Sequence, residues 1–371
     1  MIINKLKILF DHQIFVHPYG GASRYFVEVI DWLDANSEME IELPLLLTQN
    51  LHLKEKKIYR KTLIDKLLDI KYKYSISNRL QILNQWNVKR QLRKGDFDIF
   101  HPTYYDPYYF ADLKEKPYVI TVYDMMHELG FVKGTPQYVL DQKRLTIEKA
   151  TKIVAISQNT KDDLVRLLNI APEKVEVIYL ATDFEATPKV KSDTRYILFT
   201  GNRVNYKNFT LFIQAVAPLL LAHDDLILKM TGVPLSTDEI ELLSTLGVQN
   251  KVEMVRMADE KRLMELYSNA LCFVFPSLYE GFGVPLLEAF ACACPMAISR
   301  ASCFPEVAGD AALYFDPLSI DDIRNAVAQL IDNEALRNYL VEKGKARLKD
   351  FSWEKTSKQH ENLYKSLLKS L

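Results

Sequence analysis

Cysteine is scarce. The chain has four (Cys272, Cys292, Cys294 and Cys303), all in its second half, with no C-x-x-C pair and no histidine at ligand spacing beside them. That argues against a disulfide framework and a Cys/His metal site, and leaves buried reduced thiols as the expectation. Long apolar runs are also missing. The longest stretch without Asp, Glu, Lys or Arg is 208–223, 16 residues with Pro218 inside, short of the ~20 that a membrane-spanning helix needs. Near the start, one brief apolar patch is followed at once by Asp11. It is too short for the core of an export signal, so a cytoplasmic location is expected. Neither sign of charge is in excess. The 47 Lys+Arg stand against 48 Asp+Glu, which argues against a chain built to hold nucleic acid. The G-x-G-x-x-G dinucleotide fingerprint, internal repeats and low-complexity runs are absent too.

What is present is an alternation. KILFDHQIF, IELPLLL, DIFHP, YVITVYD, KIVAIS and VEVIYL read as strands in the first half, and RYILFTG, LILKMTG, VEMV, CFVFPS and PMAIS in the second. Helix-period segments lie between them, at 23–33, 137–150, 159–168, 210–222 and 260–270. Continuous apolar strands alternating with helices predict parallel sheets covered on both faces. Two such series predict an α/β chain of two doubly wound domains, in keeping with about 100–200 residues per domain. The boundary is placed in 181–195, a polar stretch carrying Pro188, giving domains 1–182 and 183–354. The tail beyond Asp350 reads as a separate amphipathic helix bearing Trp353, Leu363, Tyr364, Leu367 and Leu368.

One region departs from the average. Residues 54–94, opened by Lys54 and closed by Lys94, hold 13 Lys+Arg and 3 Asp+Glu, a local charge of +10 that leaves −11 for the rest. Ile58, Leu63, Ile64, Leu67, Leu68, Ile70, Leu80, Ile82, Leu83 and Trp86 are interleaved with the cations. Such a segment suits an anionic membrane surface. A solvated helical face packed on the domain by its apolar side is the competing reading.

The segment with the most chemistry is FPSLYEGFGVPLLE, which follows the strand CFVF. It therefore leaves the carboxyl end of a parallel strand, where such sheets bind ligands. Gly281 and Gly283 give the backbone freedom and bring it close to a ligand. Pro285 suits the opening of a helix. The amides of Gly283 and Val284, at the positive end of the helix dipole, form a site suited to phosphate. Glu280 and Glu288 flank this site, eight residues apart. Carboxylates would repel phosphate but accept paired hydrogen bonds from the hydroxyls of a sugar or ribose. Taken singly, Glu288 fits a first helical turn through the dipole and Glu280 a solvent turn; together in a glycine-rich strand–loop–helix they point to a site. By contrast, Asp96 and Asp98 form a D-x-D at the start of a strand and are not expected to hold a metal.

This E-x7-E segment resembles the signature of family 4 retaining glycosyltransferases, which use nucleotide sugars and have the GT-B fold of two Rossmann-like domains facing a central cleft. YGGASRYF, HPTYYDPY, VYDMMHE, ISQNTKDDL, TGNRVNYKNF and the final FSW plus helix resemble, in the same order, segments of the polysaccharide-synthesising and mannosyltransferase-like branch. The resemblance implies that Glu280 contacts the donor sugar and Glu288 the ribose. It implies that Gly281, Phe282, Gly283 and Val284 present backbone to the diphosphate, with Gly201 in the loop that leads to the cations Arg203 and Lys207. Arg203 stands two residues after Gly201, where many members place Arg directly after that glycine. Gly20 and Gly21, a tight turn on their own, would approach the phosphate or acceptor from the first domain. Tyr123 occupies a position where relatives often carry His, so Asp124 and His127 are the candidates for that role, with His101 and Tyr104 as further first-domain residues. The helix 355–371 would pack back on the first domain.

The activity implied is transfer of a sugar, with GDP-mannose the favoured donor, to a glycan or lipid-linked glycan hydroxyl. Retention, no metal or other cofactor, and a peripheral position on the inner face of the membrane are expected with it. A sugar-nucleotide epimerase or hydrolase on the same architecture, and a non-catalytic nucleotide-sugar-binding protein, are the alternatives.

Overall fold

A computed structural model describes residues 5–56, 58, 77–190, 194–256 and 259–369. Much of the basic segment, residues 57 and 59–76, lies outside them. The chain divides into two units. Unit 1 comprises Met1–Glu128, Gly134–Leu180 and Trp353–Leu371, and unit 2 comprises Leu129–Lys133 and Ala181–Ser352. The division falls two residues before each expected boundary.

Unit 1 contains β1 (Lys7–Phe10), β2 (Glu40–Glu42), β3 (Ile99–His101), β4 (Val119–Val122), β5 (Lys152–Ala155) and β6 (Val175–Val177). They pair in parallel in the orders β2-β1-β3 and β4-β5-β6, and a parallel bridge from Phe100 to Tyr118 joins the two sets. The inner strands β1, β3, β4 and β5 are mostly apolar because both faces are covered, and Ile8, Ile99, Ile120 and Ile153 have no exposed surface; the edge strands β2 and β6 carry glutamates and are partly open. The connecting helices start where side chains satisfy their first amides. Ser157, for example, accepts from the Thr160 amide at 3.0 Å to begin Gln158–Leu168.

The last helix, Trp353–Lys369, belongs to this unit. The Tyr25 hydroxyl bonds His360 Nε2, and His101 Nδ1 lies 2.6 Å from the Tyr364 hydroxyl. Thr356 Oγ1 donates to the Tyr179 carbonyl at 2.7 Å. The first two contacts fix the helix to the helix Gly21–Asn36 and to the end of β3, and the third to the chain just after β6.

Unit 2 holds β7 (Arg195–Phe199), β8 (Leu226–Met230), β9 (Val252–Met254), β10 (Cys272–Phe275), β11 (Met296–Ser299) and β12 (Leu313–Phe315) in the order β12-β11-β10-β7-β8-β9, all pairings parallel. β12 carries no sequence signal: three residues between a Gly-Asp-Ala-Ala turn and Asp-Pro are too few for periodicity. The helices Phe209–Ala222 and Ile320–Asp332 close over the sheet through Phe212, Val216, Leu220, Val327 and Leu330.

The four cysteines are buried and free, as expected. Burial pushes the thiols of Cys272 and Cys292 up to about 12. Among the described residues, no helix is long and apolar enough to cross a membrane.

Candidate active site

In unit 2 the chain runs from β7 outward through β8 and β9 on one side, then returns to place β10, β11 and β12 on the other. The strand order therefore reverses between β7 and β10, and ligands of open α/β sheets bind beyond the carboxyl ends of the strands at such a reversal. The loops leaving these two strands carry Gly201–Lys207 and Pro276–Gly283. They are stitched together by the Leu278 amide, which donates to the Tyr206 carbonyl at 2.8 Å.

This topology brings Lys207 and Glu280 together across 73 positions of sequence, with Nζ 2.6 Å from Oε1. Their side chains are 14% and 15% exposed, so the pair is largely shielded yet open to a ligand. The Lys207 ammonium also lies 4.9 Å from the centre of the Phe275 ring. The backbone of Glu280 is clamped from both sides. Ser302 Oγ donates to its carbonyl at 2.6 Å and accepts from its amide at 3.2 Å. Ser302 itself holds a left-handed φ of 52°.

Gly283 caps the helix Val284–Ala291 at φ 82°. A Cβ there would sit 3.1 Å from Phe304 and 3.3 Å from Leu286, so glycine is required for backbone conformation and for space. Pro285 has no amide proton, and the Leu286 amide already donates to the Gly283 carbonyl, so in the first turn of this helix the amides expected to face an anion are narrowed to those of Gly283 and Val284. Gly281 and Phe282 lie buried in the loop, and the Phe282 ring packs 5.9 Å from that of Phe351. Glu288, further along the same helix, accepts from the buried Tyr267 hydroxyl at 3.1 Å. Burial, then the neighbouring Glu288 charge, raises the Tyr267 phenol well above its ordinary value, so it stays a donor. Gly201, at φ 96°, has open space where a side chain would be.

Arg203 is placed differently from the expectation. Its guanidinium donates to Glu239 at 2.6 Å and to the Val233 and Pro234 carbonyls at 2.7 and 3.0 Å. The side chain is 1% exposed. Although partial burial works the other way, the bonds from Arg203 and Ser236 hold the Glu239 carboxyl below its usual range. Glu239 is also the third residue of a capping box with Ser236 that starts the helix Thr237–Thr245. In this structure Arg203 thus fixes the loop after β8 rather than joining Lys207. The sequence offers no sign of this, since Arg203 and Glu239 are separated by a strand and a helix.

Unit 1 also has a strand reversal, between β1 and β3. Gly20 and Gly21 are exposed beyond β1, and no neighbour lies within 4 Å of a Cβ built on Gly21. Tyr104, Asp124 and His127 meet in one pocket of about 340 Å³, with Ala22, Tyr105, Asp106, Tyr123, Val139, Leu140, Gln142 and Lys143. His127 Nδ1 is 2.6 Å from Thr135 Oγ1. His101 corrects its expectation: it is wholly buried, bonded to Tyr364 and to Thr121 Oγ1 at 3.0 Å, and stacked on Phe10. It joins the last helix to the core and does not line the pocket that holds Tyr104, Asp124 and His127. Asp96 and Asp98 hold Lys7, at 3.0 Å to its ammonium and 2.8 Å to its amide. Among the described residues, no group of three or more His, Cys, Asp or Glu is arranged to bind a metal. Missed by the sequence reading were Ser302, Tyr267 and Tyr105. Ser302 follows β11 and was findable as a strand-exit residue; nothing local marks the other two.

Residues 19–186 match the model of Glycosyltransferase Family 4, and residues 182–347 match that of Glycosyl transferases group 1. The chain is 24% identical over 400 residues to O-antigen chain mannosyltransferase B of Escherichia coli, covering 98% of this chain and 100% of that protein. It is 27% identical over 174 residues to O-antigen chain mannosyltransferase RfbU of Salmonella typhimurium, covering 47% of this chain and 49% of that one. Among solved structures, sucrose-phosphate synthase from Thermosynechococcus elongatus superposes with a TM-score of 0.75 at 16% identity, covering 99% of this chain and 100% of that one. The two Rossmann-like units are those of the GT-B fold, and the chain belongs to the glycosyltransferases that join a family 4 domain to a group 1 domain.

Proposed function

We propose that this glycosyltransferase moves a mannosyl residue from GDP-mannose to a hydroxyl of a glycan or lipid-linked glycan in surface polysaccharide synthesis, with retention at the anomeric carbon and without a metal ion or other cofactor. The observation that carries the reading is the Lys207–Glu280 pair, 2.6 Å apart where the strand order of unit 2 reverses. The two O-antigen relatives, both mannosyltransferases by name, support the choice of sugar.

The chemical task is to stabilise a departing diphosphate while an acceptor hydroxyl attacks. Charge developing on the leaving oxygen is best met by groups fixed beforehand in a shielded site. The Lys207 ammonium and the Gly283–Val284 end of the helix fill that role. A diphosphate arriving at Lys207 releases Glu280 to accept hydrogen bonds from sugar hydroxyls, and Glu288 is assigned the ribose diol. The acceptor proton passes to the leaving phosphate oxygen in a front-face displacement. Unit 1 supplies the acceptor pocket around Tyr104, Asp124 and His127. The exposed Ile82 and Trp86 on the helix Ser77–Lys94, with Arg90 lying 5.9 Å from the Trp86 ring, support a peripheral hold on an anionic membrane at the cytoplasmic face. Liposome binding would then require anionic lipid and weaken with salt.

The test is transfer of labelled mannose from GDP-mannose to a lipid-linked glycan, with and without chelator, followed by NMR of the new linkage. An α-linked product formed equally with chelator is expected. Release of free mannose alone would make the protein a hydrolase, and recovery of an isomeric nucleotide sugar an epimerase. Preference for UDP- or dTDP-sugars would remove the donor assignment.

A further inference from the structure

We propose that the unit 1 pocket takes the acceptor by the face of its terminal sugar ring, against Tyr104, and admits only rings that carry no acidic group. The inference rests on the glycan-transferring reading above and deepens it by naming the acceptor class.

The pocket, about 340 Å³ and lined by three tyrosines, lies at the small end of the usual range for small-molecule sites, about 300–1,000 Å³. Tyr104 is 45% exposed, its ring centre 4.7 Å from that of Tyr105, and its hydroxyl bonds no described residue. It offers a broad aromatic surface beside Ala22, Val139 and Leu140, suited to the C–H face of a sugar. Around this surface stand groups with hydrogen-bonding capacity left over among the described residues. Asp124 uses Oδ1 to accept from the Met126 amide at 3.0 Å, and Oδ2 has no bond to a described residue. His127 has Nδ1 engaged by Thr135, leaving Nε2. Gln142 lines the same pocket, and its side-chain amide bonds no described residue. Acceptors and donors at the rim of an aromatic platform match a ring with hydroxyls at its edge.

Charge decides which ring. Asp106 and Asp124 both line the pocket, and neither forms an ion pair among the described residues. The one lysine there is already committed. Lys143 Nζ lies 3.0 Å from Glu128 Oε2 and 2.8 Å from the Asp124 carbonyl, over the Tyr105 ring, and its side chain is 6% exposed. An incoming carboxylate, sulfate or phosphate on the ring would meet two carboxylates outside any described ion pair and one lysine already paired with Glu128. Repulsion at such distances in a partly solvated pocket is worth roughly tenfold or more in affinity.

Binding of short neutral octyl glycosides to the full-length protein, each compared with its C6-oxidised uronic acid, tests this by saturation-transfer NMR. Mannose, glucose, galactose and N-acetylglucosamine form the panel. At least one neutral glycoside should bind, its uronic acid about tenfold or more weakly. Tyr104→Ala should abolish binding of the neutral glycoside, and Asp124→Asn should narrow the gap between the pair. Equal or tighter binding of the uronic acid, binding unaffected by Tyr104→Ala, or no binding by any glycoside would each overturn the proposal. GDP-mannose binding, read in the same samples by thermal shift, is the control. Its loss in the unmutated protein would sink the donor reading instead, so the two failures are distinguishable.

Discussion

Lys207→Met is the most informative single change. The ammonium it removes sits 2.6 Å from Glu280 Oε1 in a site where both side chains are about 15% exposed. Exposed ion pairs contribute ~0–1 kcal/mol, whereas breaking a fully buried pair costs ~3–5 kcal/mol because the partner is stranded. This pair lies between those limits, so the variant should lose about 2 kcal/mol. For a unit of this size that is a fall in Tm of roughly 4–8 °C. The loss belongs to the stranded carboxylate, so Lys207→Met/Glu280→Gln should recover most of it. Activity must behave otherwise. Removing a fixed group that meets developing charge costs about 10²–10³ in kcat, and the double variant should stay as inactive as the single one. Calorimetry and steady-state mannosyl transfer on the four proteins measure both. Additive stability losses would mean that the two side chains are not coupled. A Lys207→Met enzyme within about threefold of normal kcat would refute the diphosphate assignment.

Glu288→Ala should raise the donor KM by roughly 10–100-fold with a smaller effect on kcat, since hydrogen bonds to a charged group contribute about 1.5–3 kcal/mol; titration of GDP would show it, and unchanged affinity would detach Glu288 from the ribose. Gly283→Ala meets both a φ of 82° and Phe304 at 3.1 Å, so it should destabilise unit 2 by more than the ~1 kcal/mol that a left-handed residue costs, read by urea denaturation. Arg203→Ala should lower stability by freeing Glu239 and the loop after β8, while reducing kcat far less than Lys207→Met; equal losses of kcat would return Arg203 to the diphosphate. Burial holds the His360 imidazole down to about 3, and burial, with His360 beside it, holds His101 well below its usual value. The unfolded chain therefore takes up protons first, below its ordinary value near 6.5. Stability is full above that pH and declines as pH falls toward 3. Thermal melts should show this slope, and His360→Phe should flatten it.

The parts legible in the sequence are those fixed by local pattern. Short apolar runs such as CFVF, set between helix-period segments, read as strands covered on both sides, and among the described residues eleven of twelve strands overlap the segments that read as strands. The glycine-flanked turn at 280–283 is equally local, because Gly283 needs a positive φ wherever the fold places it. What the sequence could not show is which side chain a charged group would choose at long range. Arg203 and Lys207 look alike in TGNRVNYKNF, four residues apart beyond one strand. The fold separates them by its topology. Lys207 lies on the side of β10, where Glu280 emerges, while Arg203 is drawn to the β8 side, where Gly232 lets two loops pass so closely that a Cβ would come within 2.5 Å of the Gly201 carbonyl. There it meets Glu239, already fixed by its own capping box. His101 illustrates the same limit. Its position after a strand suggests a ligand, but it stacks on Phe10 and bonds Tyr364, 263 residues later. A polar residue at a strand end is thus ambiguous until the elements packed on it are known, and in this chain the last helix decides the matter for His101.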